Sequence, residues 1–321
     1  MTSSRRRSAL ILVSSVAATV AASTTVSMIG ATTGPVDAAG SPATADQPGV
    51  ASQPGAVDQS GKGSRPDAVK VSTDPQQLSV VGLPCFPGNL ALTMTNTDRV
   101  GRYADLTLHP SGPLKLSREL FSSYLPAVDP DQPVTAPVEV RVPRDTPPGS
   151  YQIDLEVDRT RLTVPVEVKP LPPKGAGSNL ALGEQAAASS THGNFSLCGA
   201  VDGDTDSEHW DTSTGWNDGT SGAFPDNFDV TLAEPSTIDR VELYTLDSIK
   251  YPAAKNGLRD WDVQVQTGGG AWQTVAQVRG NTLGHVTSTF APTKADAVRI
   301  LALDGNGHSY SRIVELEVYG S

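Results

Sequence analysis

Between Ala68 and Val168 the chain keeps returning to one pattern, an apolar residue at every second position. Leu90, Leu92 and Met94 alternate with Ala91, Thr93 and Thr95. Val138, Val140 and Val142 alternate with Glu139 and Arg141, and Tyr151, Ile153, Leu155 and Val157 alternate with Gln152, Asp154, Glu156 and Asp158. Leu162, Val164, Val166 and Val168 follow the same rule. Side chains of an extended strand point to opposite faces in turn, so strict alternation puts one face in a core and the other in water. Pro147-Pro148-Gly149 supplies a turn just before the clearest of these strands. Several such strands over about a hundred residues predict an Ig-like β-sandwich for 68–169.

The period returns in the second half. Phe228, Val230 and Leu232 alternate with Asp229 and Thr231, and Trp261, Val263 and Val265 alternate with Asp262 and Gln264. Segments 297–303 and 313–319 read as buried strands, and no stretch carries a sustained helical period. The expectation is an all-β chain with a second sandwich at 178–321. Residues 170–177, Pro-Leu-Pro-Pro-Lys-Gly-Ala-Gly, read as a short, stiff spacer that holds the two at a set distance.

The N-terminus carries a different message. Arg5, Arg6 and Arg7 precede an apolar run from Ala9 to Ala22, followed by small residues with a cleavage site after Ala38. That order is a secretory signal peptide, expected at 1–38. The run is thinned by Ser and Thr and falls short of the ~20 strongly apolar residues of a membrane span, so an uncleaved anchor is the weaker alternative. Residues 39–67 are rich in Gly, Pro, Ser, Ala, Asp and Gln and read as a disordered linker that buries too little apolar surface to fold. A secreted, extracellular protein is expected, with no membrane insertion once the signal is removed. Export would place Cys85 and Cys198 in an oxidising compartment. They fall in different domains, and the sequence leaves a bridge and two separate thiols equally open.

Charge and motif content narrow the function. The formal net charge is −11, so the chain lacks the basic footprint that nucleic acid or an anionic lipid surface requires. The acidic residues mostly alternate onto solvent faces of strands rather than pairing in a cleft, as glycoside hydrolysis would need. No Ser-His-Asp signature, zincin motif or Gly-rich phosphate loop occurs. An enzyme is not expected.

Four ordered motifs stand in the second half. Asn179-Leu180-Ala181 precedes Ala188-Ser189-Ser190; Ala200-Val201-Asp202-Gly203-Asp204 is followed by Ser207 and Trp210. Segment 225–230 (Pro-Asp-Asn-Phe-Asp-Val) precedes 238–241 (Ile-Asp-Arg-Val), and 310–320 (Tyr-Ser-Arg-Ile-Val-Glu-Leu-Glu-Val-Tyr-Gly) closes the chain. Together they resemble the discoidin domain, the coagulation-factor V/VIII type C domain. The resemblance implies a jelly-roll-like β-sandwich. It also implies carbohydrate binding, often of galactose-containing glycans, as in bacterial galactose-binding-like modules. In the first half, Gly88-Asn89-Leu90 through Thr95-Asn96, Val142-Pro143 and Pro148-Gly149-Ser150-Tyr151 resemble the Ig-like domain that accompanies α-galactosidases, which implies a spacer or support.

Two candidate sites follow. Asp202-Gly203-Asp204 sets two carboxylates around a tight turn, and Ser207 and the distant Glu315 add oxygens of the kind that Ca²⁺ collects. The resemblance implies a structural Ca²⁺ held at Ala200, Asp202, Asp204, Ser207 and Glu315, although one extra residue separates Ser207 from Trp210. An Asx turn without metal is the alternative. For the sugar, an aromatic ring must lie flat against a pyranose while polar groups read its hydroxyls. Trp216, in the polar loop 214–219, is the expected platform. Tyr251, flanked by Lys250 and Lys255, is a second, and His209, His308, Tyr310 and Arg312 are candidates for hydroxyl contacts. Trp210, Trp261 and Trp272 lie on or beside strand patterns and are expected in or near the core. The reading is a secreted, non-catalytic carbohydrate-binding protein of galactose-type specificity. The alternative is an accessory or adhesion module that delivers a partner enzyme to a surface, or the non-catalytic part of a glycoside hydrolase system.

Overall fold

The computed structural model describes residues 68–127, 132–175 and 177–320; the expected signal at 1–38 and linker at 39–67 lie outside them. The first sandwich packs two sheets face to face. One sheet has the order β1 (Val69–Asp74), β3 (Gly88–Asn96), β7 (Val134–Arg141), β5 (Lys115–Leu116). The other runs β2 (Leu78–Val80), β9 (Thr160–Val168), β8 (Gly149–Val157), β4 (Arg102–Pro110), β6 (Leu120–Leu125). Pairing is antiparallel except between β2 and β9. The alternation read from the sequence is the burial observed: Leu90, Leu92, Met94, Val138, Val140, Ile153, Leu155, Val164, Val166 and Val168 fill the space between the sheets.

The second sandwich is built on two long bent strands, β12 (Asp226–Thr245) and β15 (His285–Gly305). The start of β12 pairs with β10 (Gln185–Ala188) and with the end of β15. The end of β12 pairs with β16 (Arg312–Tyr319) and with the start of β15. Register shifts between Thr231 and Ser236 and between Ile238 and Arg240 carry the strand from one layer to the other. The second shift also exchanges the faces, so burial moves from Phe228, Val230 and Ile238 to Val241 and Leu243. β13 (Leu258–Gln266) and β14 (Gln273–Val278) complete one side, and β11 (Trp216–Asn217) pairs with β16 on the other. Among the described residues helix is limited to one α-turn, Ala253–Asn256, and two 3₁₀ turns, Leu197–Ala200 and Ser207–His209. Among the described residues no helix is long and apolar enough to cross a membrane.

The two sandwiches touch directly. Cys85 and Cys198 form a disulfide with Cα atoms 5.1 Å apart, which resolves the pairing the sequence left open. Cys85 N–H donates to the Gly183 carbonyl at 3.0 Å. The Phe86 ring lies so close over Gly183, whose φ is +67°, that a β-carbon there would sit 2.5 Å from the ring. Arg144 of the first sandwich and Lys174 of the spacer both reach the buried Glu184 carboxylate of the second. The set distance expected of the Pro-rich spacer is thus fixed by direct contact.

Candidate carbohydrate-binding cleft

At one end of the second sandwich, loops 189–197, 208–219, 246–256 and 305–312 converge around a cleft of about 400 Å³. Its apolar lining is aromatic apart from Leu246. Phe195 and Trp210 lie with ring centroids 5.1 Å apart and tilted by 40°, and His192 meets the edge of Tyr310 at 5.5 Å. Tyr251, 37% exposed, carries the Lys250 ammonium 4.9 Å from its ring centroid. Arg312, Asn217, Asp211 and Asn256 add polar groups to the lining.

Each group is held by its loop for a physical reason. Gly215 has φ +87°, and a β-carbon on it would lie 2.3 Å from the Trp210 ring. Only glycine permits both that backbone and the close approach of the indole. Arg312 is partly buried, with its guanidinium 5.2 Å from the Tyr310 ring centroid and donating to the Asn256 carbonyl at 3.0 Å. Burial pulls its pKa down, and the Asp218 carboxylate opposes that pull, so the group keeps its charge where a ligand can meet it. Asp218 is fully buried. It accepts from Ser311 N–H at 2.6 Å and from Thr220 N–H at 2.7 Å, which ties loop 305–312 to β11. Asp226 repeats the arrangement from beneath, accepting from Ser311 Oγ at 2.8 Å. Burial, with the neighbouring Asp218 carboxylate, raises its pKa, while the hydrogen bonds from Ser311 and Ser189 restrain the rise.

The site residues expected from sequence divide into three groups. Tyr251, Tyr310 and Arg312 line the cleft. Trp216 does not, and the expectation is corrected. It is 0% exposed, packs 5.2 Å from Phe228 and donates from Nε1 to the Ser190 carbonyl at 3.1 Å. A two-residue strand paired to β16 turns this indole into the core, so it supports the 189–197 loop from below instead of meeting a sugar. His209 and His308 also lie outside the cleft lining: His209 Nδ1 bonds Asp204 at 2.8 Å, and His308 Nδ1 bonds Asp304 at 2.9 Å beside Phe224. Conversely Trp210, expected near the core, is partly exposed and forms a cleft wall. Trp272 is also partly exposed, under Arg299, while Trp261 is buried as expected. His192 and Phe195 join the cleft lining without having been expected there from sequence. Their signal is an aromatic residue in a polar, Gly-containing loop, Thr191-His192-Gly193-Asn194-Phe195, the same rule that was applied to Trp216.

The second candidate site lies where loop 200–209 crosses β16. Glu315 is 0% exposed and accepts from Asp202 N–H at 3.2 Å and Gly203 N–H at 3.1 Å. Burial pushes its pKa up to about 9, with a further rise from the Asp202 carboxylate. Burial raises Asp202 as well. The buried Glu315 carboxylate and the partly buried Asp202 carboxylate thus adjoin. The Asp204 carboxylate is turned to the Asp206 N–H and to His209, which hold its pKa down, and Ser207 Oγ accepts from Asp247 N–H at 3.1 Å. Among the described residues no three His, Cys, Asp or Glu side chains converge as a metal cluster. The donor set that fits is a pair of carboxylates, completed by hydroxyl and carbonyl oxygens such as that of the buried Ala200, a mixture suited to a hard cation.

Fold and loops together define a β-sandwich with a cleft at one end. Residues 185–316 match the F5/8 type C domain, so the second sandwich is a domain of the discoidin type. Solved structures similar to this chain include chitosan-binding module 2 of a chitosanase/glucanase from Paenibacillus sp. IK-5, in complex with chitotriose. It is 29% identical over 44% of this chain and 100% of that one, with a TM-score of 0.37. The family 32 carbohydrate-binding module of NanJ from C. perfringens, in complex with galactose, is 26% identical over 42% and 92%, with a TM-score of 0.35. A further Clostridium perfringens module, CpGH89CBM32-5, in complex with GalNAc-β-1,3-galactose, is 21% identical over 44% and 100%, with a TM-score of 0.37. No curated protein matches the chain.

Proposed function

We propose that this chain is a secreted, non-catalytic carbohydrate-binding protein whose second sandwich takes galactose-type glycans in the loop cleft. The observation that carries the reading is the pairing of exposed aromatic surface with fixed polar groups in one concavity. Trp210, Phe195 and Tyr251 offer ring faces, and Arg312, His192 and Asn217 stand where hydroxyls would be read. The discoidin-type match supports the same reading. Galactose suits the arrangement because its axial hydroxyl leaves a continuous C–H face for an aromatic ring. A shallow site of this kind binds with modest affinity, since few ligand atoms are buried.

Calcium belongs to the proposal as a structural cation at Asp202 and Glu315, with Ser207 and the Ala200 carbonyl as supplementary donors. When bound it would supply positive charge beside the buried Glu315 and the partly buried Asp202 carboxylates. The first sandwich is proposed as an Ig-like support, and secretion rests on the N-terminal signal. A glycan array probed with calcium and with chelator tests the whole reading. Binding to galactose-terminated glycans, weakened by chelator, is expected; silence toward every glycan would overturn it.

A further inference from the structure

A second concavity of about 640 Å³ lies between the two sandwiches, with the Cys85–Cys198 bridge in its lining. The first sandwich contributes Phe86, Asn89, Glu139 and Arg141, and the second contributes Ser196 and Ser213. Glu139 and Arg141 project into solvent with about half of each side chain exposed, and they pair with each other at 3.0 Å. With Lys169 and Asp202 also in the lining, the concavity holds two basic and two acidic side chains, balanced in sign, beside a partly exposed aromatic ring. That chemistry suits a neutral polyhydroxyl ligand better than an anion.

The position of this concavity matters more than its size. Phe195 and Thr212 line the loop cleft, while the next residue of each segment, Ser196 and Ser213, lines the interdomain one. Ser196 N–H donates to the Thr212 carbonyl at 3.2 Å, so a single pair of bonded backbones forms the ridge between the two. Such a ridge is about 5 Å across, the spacing of paired strands. The walls are also fixed before any ligand arrives. The disulfide, the Cys85–Gly183 hydrogen bond and the Arg144–Glu184 ion pair all hold the sandwiches at this junction. A preformed wall adds affinity because little ordering remains to be done on binding.

We propose that the interdomain concavity is an extended saccharide subsite, so that the ligand is an oligosaccharide running from the loop cleft, over the Ser196–Thr212 ridge, onto the first sandwich. The proposal rests on the carbohydrate reading of the loop cleft and assigns the first sandwich a direct part in recognition.

The test is the dependence of affinity on chain length, measured by titration calorimetry on the full disulfide-bonded chain. The probes are galactose and its β-1,4-linked dimer and tetramer, with N-acetylglucosamine and its β-1,4-linked dimer and tetramer in parallel. For at least one series the tetramer should bind about tenfold more tightly than the monosaccharide, equivalent to about 1.4 kcal/mol. Ser79→Trp places a bulky side chain at the exposed mouth of the concavity, away from the loop cleft. It should reduce the gain from chain length to about twofold or less and leave monosaccharide affinity and thermal midpoint unchanged. Lys169→Trp, at another exposed rim position, is the second blocking variant should the first fail to fold. No gain with length in the native chain, or a gain that survives both blocking variants, would overturn the extended subsite while monosaccharide binding upholds the loop cleft. If neither monosaccharide nor tetramer binds, both readings fall.

Discussion

Trp210 leans across Gly215 with one face toward the cleft, and Trp216 begins the short strand beneath it. Their exposures assign them opposite roles, and truncation separates the two. Trp210→Ala should weaken glycan binding at least about tenfold, or about 1.4 kcal/mol, with little change in thermal midpoint. Trp216→Ala removes a fully buried indole and should cost about 3–5 kcal/mol of stability. Gly215→Ala should mimic the loss of Trp210, because both the positive φ and the indole contact forbid a β-carbon. Calorimetry against galactose and thermal denaturation of each variant check all three. The sequence signal for an aromatic in a polar loop did find the right end of the molecule. It chose Trp216 because nothing local reveals that Trp216 pairs with Ile313 on a strand far along the chain. The nearby Trp210 was read as core for the converse reason: its exposure is decided by how loop 208–219 folds over Gly199 and Gly215, a tertiary fact.

The loop 200–209 touches both Glu315 and the segment that leads into the cleft. Its Gly203 and Asp202 amides rest on Glu315, while Ser207 and Glu208 accept from Asp247 and Ile249 N–H at 3.1 and 2.6 Å. The second pair braces the loop that carries Lys250 and Tyr251 into the cleft. Calcium should therefore raise the thermal midpoint. At about a hundredfold above its Kd the gain is about 2.7 kcal/mol, or about 5–10 °C. Glu315→Gln removes the charge and keeps one acceptor oxygen, so one of the Asp202 and Gly203 amides loses its partner. It should abolish the calcium-dependent shift and lower the midpoint in chelator by the loss of one hydrogen bond, about 1–3 kcal/mol, as differential scanning calorimetry would show. A calcium shift that persists in the Gln variant would contradict the assignment of this carboxylate. The meeting of Asp202 with Glu315 was legible in the sequence through the family resemblance. The turning of Asp204 toward His209 was not, because an Asx turn and a chelating loop share the same spacing of carboxylates.

At the scale of the whole molecule, two sandwiches legible as period-two runs become one compact unit through a junction that periodicity could not disclose. Contacts of Arg144, Lys174 and Glu184 depend on the approach of segments that alternation treats separately, and cysteine spacing alone does not give a Cα distance. The bridge closes a sequence separation of 113 residues, so a Cys85→Ser, Cys198→Ser double variant should lose about 2–4 kcal/mol in denaturant unfolding. The central claim, that saccharide is bound in the loop cleft of the second sandwich, can be read from the indole N–H resonances of the chain's four tryptophans. On titration with galactose in calcium, the account predicts that the Trp210 signal moves while those of the buried Trp216 and Trp261 stay in place. A titration that leaves Trp210 unmoved, or that shifts Trp272 alone, would contradict it.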